Sequence, residues 1–413
     1  MKSPTSAAWI AWLLAAIYYF YQYALRSAPS VMVPQLSDAF QLSSLGVASL
    51  VGLFYYGYSP FSLVAGTAID RLGPKLVIPA GALITGTGAI LFGTGNLSAA
   101  NLGRLLQGIG AGFALVGAVY IVGASFPPTR AATLIGATQM FGMAGGSAGQ
   151  FLVGRVIGAG VSWNTLWIVL GAAGVLIAVL LFVLLPGAAG KEQRSDWIKE
   201  TGRILAGVFK NPQTILCGVI AGLLFIPTTI FGMIFGVRFL QEAHRMDYAE
   251  AVLRSSMVPL GWIIGCPLLG WLSDRIGRRK PVIAGGGIVL FLCVAWILYG
   301  SPGLLPPYIV GLLAGVVSGA AMLTYTVIKE ANPPQYGGTA AGANSFINFG
   351  FSALLGPVFG AILENVSQGQ PKGLDDYQTA FQLMLWGVAS AVVLTFVLIE
   401  TGPAAHKKVE VTV

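Results

Sequence analysis

The chain has 413 residues, of which 55% are hydrophobic and only 9% charged, and its mean hydropathy is +0.78. A soluble domain carries roughly 25% charged residues, so the composition excludes a soluble globular protein and turns most side chains toward lipid or other apolar helices. The net charge of +8 is spread over loops rather than gathered in one basic domain, which argues against a nucleic-acid partner.

A bilayer-spanning helix needs about 20 apolar residues. Apolar runs bounded by charge, Gly and Pro predict an all-α membrane protein of twelve transmembrane helices. In the first half the runs fall near 7–28, 44–68, 75–94, 99–124, 131–157 and 163–186. In the second they fall near 213–237, 249–271, 280–300, 305–328, 338–363 and 378–400. The first run lacks a clear cleavage site and is expected to stay as a helix. Residues 187–211 hold eight charged residues and form a solvated cytoplasmic linker, with room for a short helix on the membrane surface. The expected domains are therefore 1–186, the linker 187–211, and 212–413 with a short cytoplasmic tail. Cys217, Cys266 and Cys293 all lie in apolar runs and are expected to be reduced packing residues, with no disulfide or metal pattern.

With both termini placed inside, cytoplasmic segments hold 16 of the 23 Lys and Arg residues, which sets the orientation. The small size and short loops point to a bacterial inner membrane. The 56 glycines suit helices that pack closely in lipid.

The chain also repeats itself. Gly66-Thr-Ala-Ile-Asp70-Arg71-Leu-Gly73-Pro-Lys75 recurs as Gly270-Trp-Leu-Ser-Asp274-Arg275-Ile-Gly277-Arg-Arg279, at an offset of 204. Pro127-Pro128, Thr133 and Gly136 recur as Pro333-Pro334, Thr339 and Gly342, at an offset of 206. Two parallel six-helix repeats are the plan of a rocking transporter with its site between the halves.

The pattern G-x-x-x-D-R-x-G-[PR]-[KR] in the loops after spans 2 and 8 resembles the Major Facilitator Superfamily, and the resemblance runs from end to end. It implies the twelve-helix fold in two pseudo-symmetric halves, with Asp70, Arg71, Asp274 and Arg275 as gating residues at the cytoplasmic face. Arg104-Leu-Leu-Gln107-Gly108-Ile-Gly110-Ala-Gly112 is similar to the family's motif in the fourth helix. A buried arginine needs a neutralising partner, and two roles stay open for Arg104, structural or in proton coupling. Gly142, Gly145, Gly146 and Gly149 resemble the glycine-rich fifth helix of the family's antiporters without its proline, and close helix packing is the favoured role.

Arg26 is the most informative residue. Helical spacing puts Arg26, Gln22 and Tyr19 on one face, and a guanidinium among aromatic and amide groups suits a carboxylate or phosphate. The stretch Tyr18 to Pro34 resembles the first helix of the superfamily's organic-anion branches, the anion:cation symporters and organophosphate antiporters. In that resemblance Arg26 is the anion ligand and Tyr58 a binding tyrosine. The opposing reading has Arg26 snorkelling to outer headgroups within an aromatic belt. The chain departs from both branches, with Leu25 and Ala111 where the symporters carry acids, and Ile230 where the antiporters carry a second arginine.

Asn344 and Asn348, one helical turn apart, with Tyr325 and Gln139, either complete the candidate cavity or hydrogen-bond across a helix interface, the cavity being favoured for the two asparagines. Arg254 is either a further substrate contact or the i,i+4 partner of Glu250, a residue with a structural or coupling role. No Asp or Glu sits mid-span, so a coupling proton or sodium ion has no obvious titratable carrier. No phosphate loop, metal cluster or nucleophile–base pair is present in the sequence, so neither an enzyme nor a cofactor is expected. The expected function is secondary transport of a small organic anion by a monomer. The alternatives are an exporter of hydrophobic or cationic compounds and, more remotely, a receptor that does not transport.

Overall fold

A computed structural model of the chain describes residues 5–42, 44–185, 197–300, 307–368 and 370–404. All regular structure among the described residues is helical. The elements of the first part are α1 (Ser6–Ser27), α2 (Val33–Phe40), α3 (Ser44–Leu72), α4 (Pro74–Gly93), α5 (Leu97–Ser125), α6 (Pro128–Gly158), α7 (Trp163–Leu184) and α8 (Trp197–Lys210). Those of the second are α9 (Pro212–Ile226), a π-helical segment (Pro227–Phe235), α10 (Gly236–Glu242), α11 (Tyr248–Ile276), α12 (Lys280–Tyr299), α13 (Pro307–Ser318), α14 (Leu323–Glu330), α15 (Gly337–Ser367) and α16 (Leu374–Val397).

Among the described residues, taking α9 to α10 as one stretch, and α13 to α14 as another, gives twelve long helical stretches with α8 between the sixth and seventh. Ten stretches among the described residues are long and apolar enough to cross a membrane by length and composition alone. The other two, α3 and α6, are 29 and 31 residues long. In α8 the apolar Ile204 and Val208 are buried. The linker residues 187–196 and the tail bases Lys407 and Lys408 lie outside the described residues.

The helix ends follow from local chemistry. Thr5, Asn96, Ser162 and Asp247 each accept a backbone N–H from the first turn that follows them, which satisfies donors that have no partner inside the helix. The two repeat loops turn at Gly73 and Gly277, with φ of 80° and 70°. That left-handed conformation ends α3 and α11 at no steric cost only because neither residue has a Cβ. Pro227 has no N–H to donate to the α-helical ladder, and the stretch continues from it in π geometry through Phe235.

The chain forms two compact units. Unit 1 comprises residues 1–127, 141–211 and 332–346, and unit 2 comprises 128–140, 212–331 and 347–413. Each unit thus includes the start of one long helix from the other half of the sequence.

Candidate functional site

In unit 1, α1 lies close against α6 because the facing positions are glycines. A Cβ on Gly145 would strike the Phe20 carbonyl, and one on Gly149 would strike the Ala24 carbonyl and Ser27 Oγ. Ser27 Oγ donates to the Gly146 carbonyl at 2.7 Å. This seating fixes the polar end of α1. Tyr18, Tyr19, Tyr21 and Tyr23 are all buried in protein, not displayed at a surface as a headgroup belt requires.

Arg26 is 9% exposed. Its Nε donates to Tyr55 Oη at 3.1 Å. The guanidinium carbon lies 4.7 Å from the Tyr55 ring centre, 5.0 Å from that of Tyr23 and 5.9 Å from that of Phe54. Each cation–ring contact of this kind contributes about 0.5–2 kcal/mol, which offsets part of the cost of burying the guanidinium. Tyr58 is buried and stacks on Phe54, with ring centres 5.9 Å apart. Tyr19 packs edge-on against Tyr23. One turn before Arg26, Gln22 is fully buried, and among the described residues neither its amide oxygen nor its amide nitrogen has a hydrogen-bond partner. A buried unsatisfied amide costs about 1–3 kcal/mol, so this position is kept at a disadvantage to the empty fold. Tyr55, which the sequence reading missed, is the hydrogen-bond acceptor of the site. Its only signal was its place in the run Phe54-Tyr55-Tyr56, three residues before Tyr58.

Arg104 is completely buried on α5. It donates to Gln107 Oε1 at 2.7 Å and to the carbonyls of Leu25 and Val51 at 3.2 Å. Its guanidinium lies 5.2 Å from the Phe54 ring centre and 5.8 Å from that of Phe92. Among the described residues no carboxylate pairs with it. Phe54 is therefore flanked by two buried cations, and Arg104 ties together α1, α3 and α5 beside Arg26.

The remaining candidates divide between the units. Asn344 is buried in unit 1, and Gln139, Tyr325 and Asn348 are buried in unit 2. The Oδ1 of Asn348 has no hydrogen-bond partner among the described residues. Arg254 forms an ion pair with Glu250, one turn before it on α11.

The two repeated loops meet the two repeated helix starts crosswise. In unit 1, Asp70 accepts from the N–H of Gly338 at 2.9 Å, and from the N–H and hydroxyl of Thr339 at 2.7 Å each. In unit 2, Asp274 accepts from the Thr133 N–H at 2.8 Å and its hydroxyl at 2.7 Å. A carboxylate at the beginning of a helix is favoured by the orphan N–H groups and by the helix dipole. Arg71 follows Asp70 in the last turn of α3. In the second loop the base that meets the acid is Arg279, while Arg275 is exposed and lies over the Trp271 ring at 5.2 Å. Arg279, fully buried, pairs with Asp274 at 2.6 Å and Glu330 at 3.0 Å. Burial pushes the Arg279 guanidinium pKa down, but the bonds and charges of Glu330 and Asp274 outweigh it and hold the value above the ordinary one. Glu400 accepts from the Arg279 and Lys280 N–H groups at 2.7 and 3.2 Å, and Thr401 Oγ1 donates to Glu330 at 2.6 Å. The first repeat has Lys75 where the second has Arg279, and Ala124 where it has Glu330.

Twelve long helical stretches, a buried cation ringed by aromatic side chains, and two matched acid-capped helix starts define a polytopic membrane transporter. The chain belongs to the Major Facilitator Superfamily, whose family model matches residues 15–357. It is 27% identical over 325 residues to a hexuronate transporter of Bacillus subtilis, covering 73% of each chain. It is 25% identical over 376 residues to a probable sulfoacetate transporter of Cupriavidus necator, covering 84% of this chain and 85% of that one. The fold matches that of the proton:xylose symporter XylE with a TM-score of 0.74 at 14% identity, covering 97% and 98% of the two chains. The expected all-α fold of the superfamily is thus the fold of this chain.

Proposed function

We propose that this transporter moves a small organic anion of the carboxylate type by alternating access, with Arg26 as the anion ligand. The observation that carries the reading is the setting of Arg26, a cation buried among the rings of Tyr23, Phe54 and Tyr55 beside the unpartnered amide of Gln22. A carboxylate pairs with a guanidinium through charge-assisted hydrogen bonds and can accept from the amide N–H of Gln22. Hexuronate and sulfoacetate, the compounds named for two relatives, are both organic anions, which supports the same class here. In this reading Tyr19, Gln22 and Tyr58 complete the unit 1 site, and Gln139, Tyr325, Asn344 and Asn348 provide further polar contacts. Asp70, Arg71, Asp274 and Arg275 act as gating residues. Both termini lie on the cytoplasmic side of the inner membrane. Residues 1–186 and 212–413 are the two six-helix halves of a monomer, joined by 187–211.

The test is a thermal-shift screen of the purified chain against carboxylates, phosphate esters and lipophilic cations, followed by uptake into proteoliposomes. A ligand bound only by the native state raises the melting temperature. An organic anion is expected to stabilise the chain, and Arg26→Ala to abolish both that shift and uptake. Stabilisation by lipophilic cations alone, indifferent to Arg26→Ala, would overturn the proposal. Binding without uptake would make the chain a receptor.

A further inference from the structure

Unit 2 contains a cavity that none of the residues discussed so far explains, apart from Arg254. It lies at the N-terminal end of α11, about 20 residues and hence roughly 30 Å along the helix from the Asp274 loop. The space within it is about 540 Å³ when its open mouth is included. Phe231 of the π segment, Phe239 of α10, Trp296 of α12 and Val310 of α13 supply apolar walls, and the polar lining is His244 and Arg254.

The charge of the lining is one-sided. Among the described residues no Asp or Glu lines the cavity. Glu250 engages Arg254 through Nη2, and the Arg254 side chain is only 15% exposed. Its Nε is buried and has no hydrogen-bond partner among the described residues. One edge of the guanidinium is thus satisfied and another is not. The imidazole of His244 stands edge-on to Phe239, with ring centres 4.9 Å apart.

We propose that this cavity is a second binding site, selective for a hydrophobic monocarboxylate such as an arylcarboxylate. The carboxylate accepts from the Arg254 guanidinium and from His244, and the apolar body lies between Phe231, Phe239 and Trp296. A lipophilic cation finds no carboxylate on the cavity wall to pair with. A dianion finds a single guanidinium already shared with Glu250. A short, fully polar acid leaves the aromatic walls unfilled, so the walls and the cation together select a molecule with both parts. Burial, and then the charge of Arg254, hold the His244 pKa below its ordinary value. The ring is therefore neutral at neutral pH and free to donate one hydrogen bond.

The test is isothermal titration of the full-length purified chain with 1-naphthoate, run on wild type and on Arg26→Ala, with 1-naphthalenemethanol and acetate as controls. One naphthoate site is expected to survive in Arg26→Ala, while acetate and the neutral alcohol bind at least about ten-fold more weakly there. In that background Arg254→Gln and Trp296→Ala are each expected to weaken naphthoate about ten-fold or more, as the loss of one charged hydrogen bond or of one aromatic wall implies. His244→Gln, which keeps a donor, should retain most of the binding. The proposal is overturned if Arg26→Ala removes all naphthoate binding, if Arg254→Gln leaves the surviving site unchanged, or if the alcohol binds as tightly as the acid. The Arg26 reading fails separately, if no organic anion in the thermal-shift screen loses its effect in Arg26→Ala.

Discussion

Replacing Asp70 with Asn keeps the size of the side chain and removes its charge, which makes it the sharpest test of the crosswise capping. The amides of Gly338 and Thr339 are first-turn donors of α15 and have no acceptor within their own helix. Their protection from exchange therefore rests on Asp70, which bonds them at 2.9 and 2.7 Å. In Asp70→Asn one carboxylate oxygen becomes an amide nitrogen that faces a donor. The change forfeits one charge-assisted hydrogen bond, about 1.5–3 kcal/mol, and a favourable interaction with the helix dipole, about 0.3–1 kcal/mol. The sum, about 2–4 kcal/mol, corresponds to roughly 30- to 1000-fold faster exchange at about 1.4 kcal/mol per decade. Hydrogen–deuterium exchange on a peptide covering 337–341 reads this directly. Thr339→Val, which removes only the hydroxyl bond, should sit between wild type and Asp70→Asn. If exchange at these two amides in Asp70→Asn matches wild type, the carboxylate is not what satisfies them and the capping argument is wrong.

Four further outcomes follow from the geometry. Gln22→Leu removes a buried amide without a partner, so it should raise the melting temperature of the ligand-free protein while shrinking the shift that an anion produces. Arg279→Ala strands Asp274 and Glu330 at a buried pair, and a cost of about 3–5 kcal/mol is expected in thermal or denaturant unfolding. Gly145→Val drives a side chain into the Phe20 backbone. It should destabilise by about 1–3 kcal/mol and weaken anion binding measured by thermal shift, because it moves the helix that holds Arg26. His244 is held below its ordinary value, so the unfolded chain takes up its proton first as the pH falls. Stability should therefore drop on acidification from about pH 6.5 through the native-state value. His244→Gln should flatten that part of a melting-temperature profile between about pH 5 and 8.

The sequence made the helices legible because lipid leaves few alternatives to a run of about 20 apolar residues. It also exposed both sets of repeats, the acid loops at an offset of 204 and the Pro-Pro/Thr segments at 206. It could not reveal that the two sets meet, because Asp70 and Thr339 are 269 positions apart and nothing local links them. The motif drew attention to Arg275, directly beside Asp274, yet a residue one position on points elsewhere on a helix. After the turn at Gly277 it is Arg279 that folds back onto the acid. Ile230, the counterpart of Arg26 by offset, falls within the π segment, where spacing rules built on 3.6 residues per turn no longer say which way a side chain faces. Arg26 and Gln22 were legible because polar residues in an apolar helix are conspicuous. Tyr55 was not, because a tyrosine beside two other aromatic residues reads equally well as packing.

Neither compact unit is a continuous length of chain, since 332–346 belong to the first and 128–140 to the second. A gene cut within the linker would therefore yield two polypeptides that each lack a piece of both units. The N-terminal product would present Asp70 without the α15 amides it caps, and the C-terminal product would present Asp274 without Thr133. Produced separately, each fragment should be a poor folder on its own. Produced together, each would supply the helix start that the other's acid awaits, so the two chains should recover one another as a noncovalent pair.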